Sequence, residues 1–131
     1  MIEWLRIPYR DYGRDYSGAD CWGLVRIVRA SIRGDTLPGF GAISPDNKVE
    51  LTAAAHEVVA SRQFSKRQPA ELAPGAIATV WRGPICLHVG IVIEAEGRLA
   101  VLETGRRIGV RWSLLADFEN HYPTVRYYDN D

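Results

Sequence analysis

Two cysteines in 131 residues are too few for the disulfide framework of a small secreted scaffold. No apolar run approaches the roughly 20 residues that a membrane-spanning helix needs, so a membrane partner is not expected. An excess of one charge is missing as well. The 16 basic residues are balanced by 16 acidic ones, which removes the electrostatic footprint of a nucleic-acid binder. The opening Met1-Ile2-Glu3-Trp4-Leu5-Arg6 lacks the basic region and apolar stretch of a signal peptide. Synthesis in the cytoplasm without a signal peptide is therefore expected, with any delivery elsewhere left to other components. No repeat, low-complexity tract or linker divides the chain, and four Trp and six Tyr add to an ample apolar content. A single domain over 1–131 is expected.

What is present falls into two halves. Residues Pro8 to Ala19 are rich in Gly, Asp and Tyr without periodicity, and read as a loop with aromatic walls. From Cys21, the residues Leu24, Val25, Val28 and Ile32 form an apolar stripe at helical spacing, while Arg26, Arg29 and Arg33 share another face. Asp20 is placed to cap this helix and Gly34 to end it. After a Gly/Pro-rich connection from Leu37 to Asp46, Asn47 and Glu50 resemble a capping box opening a second helix, with Leu51, Ala54, Ala55, Val58 and Val59 inward. Arg62 to Pro69 is polar and basic, and reads as a solvated connection. Beyond Pro74-Gly75, five strand-like segments cover 76–81, 85–93, 99–104, 108–112 and 124–128. Helices first and strands second predict an α+β fold, with N-terminal helices packed on an antiparallel sheet meander.

The chemistry concentrates at three positions. A thiol attacks as thiolate, and the free N–H groups and dipole at a helix start favour that anion, which makes Cys21 the candidate nucleophile. A cysteine there also serves as a small apolar residue. His88 stands in an otherwise apolar strand, where a buried imidazole requires a partner and a backbone carbonyl is one option. A hairpin turn centred on Ala95 and Glu96 would set Ile93 opposite Arg98, Gly90 opposite Val101 and His88 opposite Glu103. Glu103 would then orient His88 and leave its other nitrogen for Cys21, whereas a one-residue slip would turn Glu103 to the opposite face. His56, in the second helix, and His121, in a late loop, read as surface residues. Cys86, two residues before His88, would share its face; a small buried cysteine, a bridge to Cys21 and a metal site are its readings. The sequence has no CxxC or HxxxH pattern, so neither a metal nor another cofactor is expected.

Asp20-Cys21-Trp22-Gly23-Leu24-Val25-Arg26, followed by His88-Val89-Gly90-Ile91, resembles the paired signature of NlpC-type papain-like cysteine peptidases, over nearly the whole chain. The resemblance implies a papain-like fold and cleavage of an amide in peptidoglycan stem peptides, often between D-glutamate and diaminopimelate. Pro8-Tyr9 is similar to the family's Pro-Tyr segment, which gives Tyr9 a part in binding the oxyanion. The family's third active-site residue is commonly histidine, and the matching position here is Glu103. Pro74-Gly75 resembles the Pro-Gly-Asp entry into the first sheet strand, with Ala76 in place of the acid. Trp22 and Leu37-Pro38 resemble the branch found in phage tails and related particles, which implies tail proteins as partners and action in the cell wall. Two rivals use the same features: a silent tail adaptor on this fold, and a lecithin:retinol-type acyltransferase, whose usual order puts histidine before cysteine.

Overall fold

The computed structural model describes residues 1–39 and 46–131. Its elements follow from local signals. A short helix α1 (Ile2–Leu5) precedes a small hairpin, β1 (Arg14–Asp15) with β2 (Gly18–Ala19), in the stretch read as loop. Helix α2 (Cys21–Arg33) starts where the Asp20 carboxylate accepts from the Gly23 N–H at 2.8 Å, and stops at Gly34, whose φ of 76° is left-handed. Cys21, Leu24, Val25 and Val28 of the predicted stripe are buried. Helix α3 (Lys48–Ser61) begins with the Asn47 side chain accepting from the Glu50 N–H and turns Leu51, Ala54 and Val58 inward. Of the connection before it, residues 40–45 lie outside the described residues.

The main sheet comprises β3 (Ser65–Arg67), β4 (Ile77–Arg82), β5 (Ile85–Ala95), β6 (Arg98–Gly105), β7 (Gly109–Leu114) and β8 (Thr124–Asp129), with α4 (Leu115–His121) between the last two. Strands β4 to β7 run as the expected meander, and β8 returns beyond α4 to lie between β3 and β4, giving the order β3-β8-β4-β5-β6-β7. All the pairings are antiparallel. Period-2 alternation sends Ile91 and Ile93 to the core under α2 and α3, and Val92 to a smaller core with Phe118 and Tyr127. Helices on one face and α4 on the other thus cover an α+β sheet. No helix among the described residues is long and apolar enough to cross a membrane.

Two sequence expectations change. The basic stretch 62–69 contains an edge strand, because Ser65 to Arg67 pair through their backbones with Tyr127 to Asp129. Backbone pairing needs no apolar side chains, and charged ones suit a sheet edge. His121 ends α4 instead of lying in a loop. Arg29, on the arginine face of α2, is 1% exposed and ion-paired with Asp35 from the α2–α3 connection and with Asp129 at the end of β8.

Candidate active site

The nucleophile candidate sits where the Gly/Tyr-rich loop wraps the first turn of α2. Gly13 O comes so near Gly23 that a Cβ there would lie 2.0 Å from it, so this approach requires glycine at 23. Asp20 is 2% exposed and also accepts from Arg14 Nη1 at 2.7 Å and from the Tyr12 N–H at 3.2 Å. One carboxylate therefore caps the helix and pins the loop. Asp20→Ala is expected to lower the unfolding free energy by about 1–2 kcal/mol, the usual worth of a cap. Urea titration checks this, and an unchanged midpoint would show that Asp20 holds nothing.

Directly after this cap comes Cys21, 6% exposed. It lines one cleft with His88, near enough to raise the imidazole's pKa, and His88 Nε2 lies 3.0 Å from Glu103 Oε1. With Nε2 taken by the carboxylate, Nδ1 is the ring nitrogen left to face the sulfur. Burial by itself would lower the His88 pKa, but Cys21 and Glu103 outweigh it and raise it to about 9. Glu103 is 2% exposed. Burial would raise its carboxyl, yet hydrogen bonds with His88 and Tyr122, together with the charges of His88 and Arg111, hold it below the usual range. The imidazolium–carboxylate pair is the resting state of this site at neutral pH.

The His88–Glu103 contact forms in a register other than the expected one. The turn is Glu96-Gly97, both at positive φ, so Ala95 pairs with Arg98 and Ile91 with Leu102. The whole register is displaced by two residues, which keeps every side chain on its face. The ladder ends at Ile91–Leu102, and His88 reaches Glu103 diagonally. Gly90 lies between them; a Cβ there would stand 2.8 Å from Val101 Cγ1 and 2.9 Å from Leu102 O. Its absence gives β6 room to pass close to β5.

A β-bulge corrects the reading of Cys86. Val80 pairs with His88 but Trp81 with Cys86, so one residue of β5 is extra and the alternation breaks. Cys86 enters the main core while His88 lines the cleft, and both cysteines are free. Burial pushes the Cys86 thiol up to about 11, the behaviour of an inert core cysteine. Among the described residues no group of three or more His, Cys, Asp or Glu side chains could hold a metal ion. His56 is exposed and lies against Trp81, 5.7 Å between ring centroids; His121 is exposed and edge-on to Tyr122.

Tyr9, Cys21, Lys48, His88, Glu103 and Tyr122 are among the walls of an open cleft of about 380 Å³. Tyr9 is placed there by a single parallel bridge to Ala19, two residues before the nucleophile, with the Asp11 carboxylate near enough to act on its hydroxyl. Burial and that carboxylate both raise the Tyr9 pKa, so it stays a protonated phenol. Lys48 Nζ donates to Leu87 O at 2.8 Å, fixing the backbone beside His88. At the rim, Arg106 forks onto both Asp11 and Asp46. Sequence reasoning missed Tyr122, Arg111, Arg106 and Lys48. Only the last has a signal of position, as the first residue of a capped helix; Arg106 and Tyr122 come to the cleft through the β6–β7 turn and the α4 crossover, and Arg111 stands behind Glu103 from β7.

No family model and no curated protein matches the sequence. Solved structures do: the NlpC/p60 domain of the peptidoglycan hydrolase SagA superposes with a TM-score of 0.61, covering 99% of this chain and 92% of that one. The chain has an NlpC/p60 fold. At 16% identity the likeness is one of architecture. Within that NlpC/p60 architecture, a helix start presents Cys21, the second meander strand presents His88 and the third presents Glu103.

Proposed function

We propose that the chain is a cysteine peptidase that hydrolyses an amide of peptidoglycan stem peptides, between D-glutamate and diaminopimelate. The observation that carries this reading is that Cys21, His88 and Glu103 line one open cleft, with the imidazole held by Glu103 and electrostatically coupled to Cys21. A helix-start thiol beside an imidazolium gives the thiolate that attacks the carbonyl carbon. The oxyanion takes the Cys21 N–H, one of the donors a helix leaves unpaired at its start, and the Tyr9 hydroxyl, which turns its proton from Asp11 to the substrate. His88 gives its proton to the leaving amine; water, deprotonated by the now neutral imidazole, then releases the acyl group.

The setting we propose is a phage-tail or related particle, with other tail proteins as partners and the cell wall as the place of action. Trp22 Nε1 donates to Pro38 O at 2.8 Å, so the two sequence features that resemble the tail branch form one structural unit beside the nucleophile. The test is digestion of purified peptidoglycan with mass identification of the products. Fragments with a new diaminopimelate amine are expected. Intact sacculi after exposure to folded protein with a reactive Cys21 would favour a silent adaptor.

A further inference from the structure

We infer that Tyr122 is a positioning residue for the His88–Glu103 pair: its hydroxyl keeps one carboxylate oxygen of Glu103 turned toward the imidazole and away from Arg111. Glu103 is pulled two ways. Its Oε1 takes His88 Nε2 at 3.0 Å and the Tyr122 hydroxyl, while Arg111 Nε stands 3.4 Å from Oε2. Arg111 carries a permanent charge, and a carboxylate freed at one end turns to meet the guanidinium with both oxygens. Only the Tyr122 contact comes from outside the sheet, from the residue that follows α4 and leads into β8. Its ring is held by Phe118 at 4.9 Å and lies 5.6 Å from the His88 ring, so the hydroxyl has a fixed origin.

The inference rests on the peptidase reading for its significance, but the test does not need turnover. Titration of the His88 ring is followed by NMR, with Cys21 alkylation by iodoacetamide across pH as a second readout. The groups facing His88 are Cys21 from α2, Glu103 from β6 and Tyr122 from the α4 crossover. Lys48, Asp46, Arg106 and Tyr9 share the cleft, and Arg111 stands behind Glu103. Tyr122→Phe keeps the ring and removes only the hydroxyl. It is expected to move the His88 titration about one unit down in pH, with the alkaline limb of kcat/KM following and KM unchanged. Glu103→Gln should move it further the same way. Adding Arg111→Gln to Tyr122→Phe removes the competing pull and should recover at least half the displacement. A Tyr122→Phe titration that overlays the wild type or moves upward, or a double variant no better than the single, overturns the inference. Absence of peptidoglycan cleavage by the wild type, with these titrations as expected, would instead overturn the substrate assignment alone.

Discussion

Cys21→Ala and His88→Ala are each expected to lower peptidoglycan cleavage by roughly 10³-fold or more, and the double variant by no more than the worse single one. The two side chains form one chemical unit: without sulfur there is no acyl-enzyme, and without imidazole the thiolate loses its counter-ion and the leaving amine its proton. Their linkage also fixes the pH behaviour. The His88 pKa, about 9, lies above the ordinary value near 6.5, so the imidazolium persists through neutral pH and the alkaline limb of activity falls near 9. By the same sign, the stability that this pairing contributes is complete below about 6.5 and is lost as pH rises through about 9. Initial rates of amine release across pH check the profile. Independent, multiplicative losses in the double variant would mean that the two groups do not act together.

The parts of this site that were legible in the sequence are those set by local physics. Asp20, three residues before Gly23, announces the helix start, and the apolar stripe from Cys21 shows which face turns inward. The side-chain period of 2 put His88 and Glu103 on one face even though the turn was placed one residue early, because the resulting displacement is by two and parity survives. Cys86 failed by the same reasoning, since a bulge leaves no trace in an apolar strand. What could not be read is long-range. Tyr122 meets Glu103 only because β8 crosses back over the sheet, and Arg106 meets Asp11 across 95 residues. The partners of Arg29 were hidden in the same way, since the carboxylates that enclose it lie 6 and 100 residues away.

Arg29→Ala is expected to destabilise the fold by about 3–5 kcal/mol, the cost of leaving buried charges without their partner. All five guanidinium donors are used: Nε and Nη2 on Asp35, Nη1 on Gly75 O and Asp129, and Nη2 also on Asn130. The Phe64 ring lies 5.1 Å beneath the guanidinium. Arg29→Lys keeps the charge but offers at most three donors without the planar fork, so it should recover only part of the loss. Burial would raise the Asp129 pKa, but Arg33, Arg29 and the Asn130 N–H hold it below the usual carboxylate range. Its contribution is therefore present above about 3.9 and lost as pH falls through the depressed folded value, and Arg29→Ala should weaken that acid dependence. Urea denaturation at neutral and acidic pH checks both; a change within about 0.5 kcal/mol would place Arg29 among ordinary surface positions. The consequence reaches the cleft, because Arg29 is two turns along the helix that begins with Cys21. Its bonds to Gly75, before β4, and to Asp129, at the end of β8, fix that helix against the sheet carrying His88. Loosening the clamp should therefore reduce alkylation of Cys21 at pH 7 even in the fraction of molecules that remain folded.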